Sequence, residues 1–424
     1  MVNGVERGQV GEKLPKGWKR VSLGDLCTIQ NGYAFKSSTF VKQGIPVIKM
    51  GNIAKDCRLK WNPELLSYLP ESHLSLHSEF VIAKNDLLIT LTDMSPSGEY
   101  LGTVAMYDQN IPALLNQRVG KFISISNELD IRYLYFRLCT KDFKRYATCD
   151  DTGNLQKNTN PEYLQKYKLS LPPLPEQKRI VGILSDRLST IDKARTATEA
   201  QLKAAKALPA AYLRQMFDSP EAQKWKRKKL GDIALTVQNG IYKSSENYGH
   251  GHPFLRMYNI RNSSWNLSLS TLAQVLVDDE ELEKFKLKVG DLLISRVNSF
   301  ELVGKCGWIN LEAKDYVFEN MLIRVRLIDS VDSLFVAQQM GHRSIKDQIQ
   351  GVAKQAIGQA SINSTDIRSV ELPIPALEKQ KEISSKLTAK TEQAEKLQQS
   401  LQSRLDTINK LPAALLRQAF NGEL

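Results

Sequence analysis

The feature that most constrains the fold of this chain is a long helical pattern that occurs twice. The copies run from Leu171 to Phe217 and from Leu372 to Phe420, and they align at a constant offset of 203 residues (380 − 177 = 203). Apolar residues in each copy recur at alternating spacings of three and four, as in the seam of a coiled coil. Each arm, counted from its Glu to the residue before its internal proline, is about 50 Å long at roughly 1.5 Å per residue. We expect the two arms to pack as an antiparallel helical spacer. The matched apolar positions are Ile180 with Ile383, Leu184 with Leu387, Ala194 with Leu397, Ala205 with Ile408 and Leu208 with Leu411.

The helical copies are only half of a larger repeat. Trp18-Lys19-Arg20 recurs as Trp225-Lys226-Arg227, and Asp86-Leu87-Leu88-Ile89 recurs as Asp291-Leu292-Leu293-Ile294. Two copies with a period near two hundred residues indicate a duplication. Within each globular unit, short apolar runs alternate with turn residues, which predicts strands and an α+β fold class. The predicted domains are a first globular domain (1–170), a central helical spacer (171–220), a second globular domain (221–371) and a C-terminal helical spacer (372–424).

The overall charge suggests a polyanionic partner. The 424 residues carry a formal net charge of +12, with a pI near 9.3. Such an excess favours nucleic acid, with an acidic membrane surface as the second possibility. The polar start of the chain lacks the apolar core of a signal peptide, and no apolar run is long enough to cross a bilayer. The five cysteines form no CxxC pair. We therefore expect reduced thiols in a cytoplasmic protein that has no membrane partner.

Several segments resemble one known family, the specificity subunits of type I restriction-modification enzymes. They are LPPLPEQKRIV (171–181), the twin segments ALPAAYLRQMF and KLPAALLRQAF, the ending RQAFNGEL, and the openings WKRVSLGDLCTIQNGYAFKSS and WKRKKLGDIALTVQNGIYKSS. The resemblance covers essentially the whole chain, although the second copy departs from the first at 376–380.

The resemblance implies a non-catalytic protein without a cofactor. Its two target-recognition domains would each read one half of a bipartite site in double-stranded DNA. The paired helices would set the gap between the half-sites and dock two methyltransferase (modification) subunits, and restriction (motor-nuclease) subunits would join in the full complex.

Candidate DNA contacts follow from side-chain chemistry, since Lys and Arg suit phosphates while amides, hydroxyls, Asp and Arg suit base edges. The candidates lie in the basic segments, in the loops after the Asp-Leu-Leu-Ile strands and in the late polar loops. Each could instead cap a turn. Gln30-Asn31 and Gln238-Asn239 recur in both copies, which favours a scaffold turn there. The candidates are Lys36, Thr92, Asp93, Ser95, Asn154, Gln156, Lys157, Lys226, Arg227, Lys243, Arg296, Asn298, Ser299, Lys354, Gln355 and Gln359.

Apolar residues beyond the internal prolines are candidates for docking the modification subunits. They are Tyr212, Phe217, Leu415 and Phe420, and packing within the chain is the alternative for each. A circular arrangement of the four segments would also require the N-terminus to approach the second arm.

The sequence favours binding over catalysis. Asn160-Pro161-Glu162-Tyr163 resembles the NPPY signature of amino-methyltransferases, but Glu162 stands in place of its second proline, and no glycine-rich cofactor loop follows a strand. No Walker motif is present, and His73 and His77 read as surface residues rather than metal ligands. Two hypotheses remain open: a DNA-reading subunit, or a coiled-coil adaptor that binds nucleic acid without defined sequence. The duplicated layout favours the first, because a pseudo-twofold protein matches two half-sites.

Overall fold

A computed structural model describes residues 14–93, 98–148, 157–262, 264–310 and 315–424. The chain divides into two compact units. Unit 1 comprises Met1–Ala197 with Leu405–Leu424, and unit 2 comprises Thr198–Arg404. Two helices of 44 residues, α5 (Leu174–Phe217) and α10 (Leu377–Phe420), each contribute one part to either unit.

Unit 1 consists mainly of short strands, and most of its short helices follow β10. Its strands are β1 (Lys19–Ser22), β2 (Thr28–Asn31), β3 (Ile45–Ile48), β4 (Ser67–Leu69), β5 (Val81–Ile82), β6 (Leu87–Thr90), β7 (Thr92–Asp93), β8 (Val104–Met106), β9 (Ala113–Leu115), β10 (Val119–Ile123), β11 (Lys157–Asn158) and β12 (Lys168–Leu171). Its shorter helices are α1 (His73–Leu76), α2 (Ile131–Leu138), α3 (Lys141–Thr148) and α4 (Pro161–Gln165).

Unit 2 repeats this order with different loops. Its strands are β13 (Arg227–Lys229), β14 (Ala234–Asn239), β15 (Tyr248–Leu255), β16 (Ala273–Val275), β17 (Leu292–Ser295), β18 (Val297–Asn298), β19 (Cys306–Trp308), β20 (Val317–Phe318), β21 (Leu322–Leu327), β22 (Lys354–Ala356), β23 (Gln359–Ser361) and β24 (Glu371–Pro373). Its shorter helices are α6 (Asp279–Phe285), α7 (Ser333–Met340), α8 (Arg343–Val352) and α9 (Ser364–Ser369).

Each unit is built around an antiparallel four-stranded sheet. The strand order is β2-β10-β6-β8 in unit 1 and β14-β21-β17-β19 in unit 2. A second sheet contains a parallel pair, β3 with β9 in unit 1 and β15 with β20 in unit 2. The equivalent strands lie in the same order, which confirms the duplication and the α+β fold class predicted from the repeat.

The Asp-Leu-Leu-Ile strands are buried on both faces. Leu87 and Ile89 point into one hydrophobic cluster, and Leu88 between them points into another. Leu292, Leu293 and Ile294 divide in the same way between two clusters of unit 2. Because successive side chains of a strand alternate between faces, an all-apolar strand is stable only where both faces are covered.

In each unit the beginning of one long helix meets the end of the other. Ile180 and Leu184 of α5 share a buried cluster with Leu416 and Ala419 of α10 in unit 1. In unit 2, Leu213 and Phe217 of α5 share a cluster with Ile383 and Leu387 of α10. The antiparallel pairing is therefore confirmed. Two predicted seam positions were wrong, because Leu397 is 45% exposed and Leu411 is 42% exposed.

Both helices continue through the prolines, beyond the stretch over which the length of each arm was counted. Pro209 and Pro412 lie inside α5 and α10. An interior proline costs about 3 kcal/mol, whereas burial of one large apolar side chain contributes about 1.5–3 kcal/mol. Several such side chains follow each proline, including buried Phe217 and Leu416. Packing of this last stretch onto the unit core therefore outweighs the helix penalty.

A recurring glutamine fixes the start of each long helix. The Gln177 side chain accepts from the Asp130 N–H at 2.8 Å and donates to the Pro172 carbonyl oxygen at 2.9 Å. Gln380 does the same with Asp332 (2.9 Å) and Pro375 (2.8 Å). The helices begin at the same offset (377 − 174 = 203), so the sequence departure at 376–380 leaves the start of α10 unchanged.

The beginning of the described chain approaches the end of α10, in agreement with the circular arrangement. Trp18, Phe420 and Leu424 all pack against the same hydrophobic cluster of unit 1. Within the described ranges, no helix combines the length and hydrophobicity that crossing a bilayer requires.

Candidate nucleic-acid interface

A cleft of about 520 Å³ opens in unit 1 where two turns meet. One turn follows β3, and the other joins β9 to β10. Parallel pairing of Ile48 in β3 with Leu115 in β9 brings the turns together, although they are far apart in sequence. The lining holds three cations and four amides, and among the described residues it holds no carboxylate. The lining residues are Lys49, Met50, Gly51, Asn52, Lys60, Asn62, Asn116, Gln117 and Arg118.

Local hydrogen bonds hold the polar groups of this cleft. The Lys49 N–H donates to Asn52 Oδ1 at 2.9 Å, which closes the turn after β3. Lys49 Nζ donates to Ser67 Oγ at 2.8 Å and lies 4.2 Å from the Phe40 ring centroid. Burial lowers the pKa of the Lys49 ammonium. A fixed cation beside several amides is suited to a phosphate and the base edges next to it.

Unit 2 carries a different set of groups at the equivalent place. Arg256 occupies the position of Lys49, and Glu319 occupies that of Asn116. Arg256 Nε lies 2.9 Å from Glu319 Oε2, and the hydrogen bond to this carboxylate raises the pKa of Arg256. The Tyr258 side chain is 51% exposed beneath the guanidinium, with the ring centroid 5.6 Å from Arg256 Cζ. One scaffold therefore presents a cation-and-amide cleft in unit 1 and a neutralised, aromatic surface in unit 2.

Sequence reasoning missed this cleft. The available signal was a basic residue, Lys49 or Arg256, that stands just before a Met in both copies of the repeat. The turn that supplies Asn116 and Arg118 carried no signal, because only strand pairing places it beside Lys49.

The recurring Gln-Asn-Gly turns belong to the scaffold. A Cβ on Gly32 would lie 2.3 Å from the Asn116 carbonyl oxygen, and one on Gly240 would lie 2.3 Å from that of Glu319. Any larger residue would separate the turn from the neighbouring strand end. This geometry supports a structural role for the turn, as its recurrence suggested.

Most of the unit 1 candidates do not reach a common surface. Thr92 and Asp93 are buried, and Asp93 Oδ2 accepts from the Tyr100 N–H at 2.6 Å. Burial leaves these two side chains with a structural role, because neither faces solvent. Lys36 is exposed. Lys157 lies in β11, whose backbone pairs with Asp93. Ser95, Asn154 and Gln156 lie outside the described residues.

Six of the unit 2 candidates gather around one small sheet, with strand order β18-β23-β22. Asn298 is half-buried in β18, and its Nδ2 donates to Ser295 Oγ at 3.2 Å. The neighbouring candidates Arg296 and Ser299 are also half-buried. Lys354, Gln355 and Gln359 are exposed on the β22–β23 hairpin. The sheet thus brings together six of the predicted residues.

Three basic candidates of unit 2 lie elsewhere. Lys243 Nζ is paired with Glu281 Oε2 at 2.6 Å, so its charge is locally neutralised. Lys226 and Arg227 are exposed and border a shallow concavity that also contains Asp232 and Glu371. Lys228 and Lys229 also line this concavity, so four cations face two carboxylates and the surface stays basic overall.

The predicted docking residues pack within the chain. Phe217 is buried with its ring centroid 5.7 Å from that of Phe335, and Leu415 is buried in the unit 1 core. Tyr212 and Phe420 pack against the cores of units 2 and 1 respectively. These contacts favour the intramolecular alternative for all four.

Comparison with known proteins gives one consistent result. The family model for the type I restriction modification DNA specificity domain matches twice, at residues 15–204 and 222–405. The chain is 25% identical over 432 residues to the EcoKI specificity subunit of Escherichia coli K12, covering 97% of this chain and 90% of that protein. It is 31% identical over 188 residues to the MjaVIII specificity subunit of Methanocaldococcus jannaschii, covering 44% and 42%.

Solved structures agree in fold. A chain from a study of assembly and conformational transition of the type I R-M system aligns with a TM-score of 0.73, at 18% identity over 97% of this chain and all of that one. The HsdS subunit from Thermoanaerobacter tengcongensis aligns with a TM-score of 0.60, at 20% identity over 97% and 98%. On the evidence of the two matched domains, the chain belongs to the type I restriction-modification DNA specificity family.

Proposed function

We propose that this chain is the specificity subunit of a type I restriction-modification system. Each unit contacts one half of a bipartite site in double-stranded DNA. The observation that carries the proposal is that two family-matched units share one sheet scaffold and present different polar groups at the same place on it. A common scaffold with different surface groups is suited to reading two different sequences.

In unit 1, phosphate contacts come from the cations of the cleft and base contacts come from its amides. Lys49, Lys60 and Arg118 supply charge, and the net charge of +12 adds a general attraction for DNA. The exposed Gln117 side chain offers the paired donor and acceptor that suit adenine in the major groove.

In unit 2, the β18-β23-β22 sheet takes the corresponding role. Arg296, Asn298 and the exposed hairpin side chains are our candidates for base and phosphate contacts there. We keep Lys36 as a phosphate candidate in unit 1 because it is exposed.

The long helices set the gap between the half-sites and dock two methyltransferase subunits, and restriction subunits join them for cleavage. The chain itself carries no catalysis in this proposal. Our docking candidates are the exposed side chains of Leu397 and Leu411, since the four predicted residues pack within the chain. Leu411 borders an apolar groove of about 500 Å³ with Ile191 and Ala414 in unit 1, which suits a helix of a partner.

Mapping methylated bases tests this proposal. The chain is co-expressed with the modification subunits of its own system in a host without other methyltransferases, and the methylated sites are read by long-read sequencing. We expect one bipartite motif with a constant gap. Replacing residues 222–373 by the second unit of a relative should change one half-motif and leave the other. Methylation without a motif would favour the sequence-independent adaptor.

The cleft has its own matched variants. Lys49→Ala and Arg118→Ala should weaken binding of the mapped site and lower its salt dependence, with a log–log slope smaller by about 0.9 per lost phosphate contact. Lys166→Ala is the control, since Lys166 is an exposed lysine of unit 1 that does not line the cleft. Equal effects of all three variants would contradict the assignment of the cleft.

A further inference from the structure

The β22–β23 hairpin of unit 2 projects polar and apolar side chains that nothing else in the unit covers. Lys354 pairs with Ser361 and Ala356 pairs with Gln359, which leaves Ile357 and Gly358 as the turn. Every residue from 354 to 359 is exposed. Gly358 has φ +75°, a conformation that glycine adopts without strain.

The hairpin is anchored to the unit 2 core at the end opposite its exposed turn. Ala360 pairs with Asn298 of β18 and is 1% exposed in the unit 2 core. The Ile362 N–H donates to the Arg296 carbonyl oxygen at 3.0 Å. A held base gives the tip a defined direction, and a side chain on such a tip is pre-organised for contact with a partner.

Ile357 stands out on this tip. It is a large apolar residue, and its side chain is fully exposed at 105%. Turn positions ordinarily carry Gly, Asn, Asp or Pro, so local backbone chemistry does not account for an isoleucine here. Burial against a partner would account for it, because apolar surface is stabilised by removal from water.

The chemistry of the hairpin identifies the partner as DNA. The segment 354–361 reads KQAIGQAS, with one cation, two amides, one hydroxyl and no carboxylate. This composition suits a polyanion with hydrogen-bonding base edges. A two-stranded ribbon fits the major groove, which is about 12 Å wide, and is too broad for the minor groove at about 6 Å. The apolar group that base pairs expose in the major groove is the thymine C5-methyl.

Resting on the proposed function, we propose that Ile357 is a specificity-determining residue that contacts a thymine methyl in the half-site bound by unit 2. The ribbon lies in the major groove with Ile357 against the methyl, and Gln355 and Gln359 face neighbouring base edges. The methyl contact distinguishes a T·A pair from other pairs at that position.

Deoxyuridine tests the contact, because it lacks only the C5-methyl group of thymidine. The full chain with its modification subunits is titrated with duplexes of the mapped site in which each thymine of that half-site is replaced in turn. We expect one replacement to weaken binding about fourfold, the value for one buried methyl group. Ile357→Ala should weaken binding of the thymine duplex to a similar extent and abolish the effect of that replacement. Val289→Ala is the matched control, since Val289 is an apolar residue of unit 2 that is 59% exposed. Val289 precedes β17, whereas the hairpin pairs with the next strand, β18.

Three results would overturn the contact. One is a half-site without thymine, and another is an Ile357→Ala variant that keeps the full deoxyuridine effect. The third is a loss of binding by Ile357→Ala that is equal for thymine and deoxyuridine duplexes. Either minor-groove insertion or impaired assembly with the modification subunits would cause such a loss. If the wild-type complex binds its motif but ignores deoxyuridine, only the hairpin contact fails. If it binds no motif, the proposed function fails as well.

Discussion

The buried ion pair of unit 2 gives a sharp test of how this scaffold is held together. Arg326 Nε and Nη2 each lie 2.7 Å from an oxygen of Asp291, whose side chain is 1% exposed. Arg324, two residues earlier on β21, points to the same face and is buried. Burial and the charge of Arg326 lower the pKa of Arg324, while Asp291 opposes this. Asp291 thus stabilises two guanidinium groups.

We expect Asp291→Asn to destabilise unit 2 by about 3–5 kcal/mol, the cost of removing one partner of a buried pair. The repeat supplies a matched control. Asp86 holds the same place in unit 1 and pairs with Lys121 at 2.8 Å, but the two side chains are 23% and 19% exposed. Solvent screens this pair, so Asp86→Asn should cost about 1 kcal/mol.

Hydrogen exchange measures both variants, because it reports the opening free energy of each segment without requiring the chain to unfold in one step. Peptides from β17 and β21 should lose protection in Asp291→Asn. Adding Arg326→Met to Asp291→Asn should restore part of it by removing an uncompensated charge. Equal losses in the two single variants, or no recovery in the double variant, would refute the reasoning.

Three further predictions concern the turn, a buried lysine and the helices. Gly240→Ala should destabilise unit 2 by about 1–3 kcal/mol through overpacking. Gly182→Ala, on an open helix surface, should instead stabilise α5 by up to about 1 kcal/mol. Equal shifts in the unfolding temperature of the two variants would contradict this. Burial lowers the pKa of Lys144 from 10.5 to about 8. Between these pH values the folded state binds fewer protons than the unfolded state, so unit 1 should become more stable as the pH rises. Hydrogen exchange at several pH values should show this rise, and Lys144→Met should remove it; an unchanged rise in the variant would argue against Lys144 as its source. Inserting four residues into both long helices adds about 6 Å and should lengthen the gap of the methylated motif by about one to two base pairs, with unchanged half-motifs. Altered half-motifs would show that the helices do more than set distance.

The contrast between the two units shows where sequence reasoning reached its limit. The late loop containing Lys354, Gln355 and Gln359 presents exposed polar side chains, and their contact with DNA stays a prediction. After the first Asp-Leu-Leu-Ile strand, by contrast, Asp93 folds inward and accepts a hydrogen bond from the Tyr100 N–H. Composition alone does not show that the Asp93 side chain turns inward, because its partner is set by tertiary packing.

The sequence by itself determined the duplication, the long paired helices, the apolar central strands and the family. These properties are local or periodic: apolar spacing, turn residues and a constant offset are written along the chain and need no knowledge of distant contacts. Only the tertiary structure decided that the helices pass through Pro209 and Pro412, because the decisive stabilisation comes from packing onto distant core residues. It also decided that Lys49 and Arg118 share a cleft while Arg256 is neutralised by Glu319, since parallel strand pairing joins turns that are far apart in sequence.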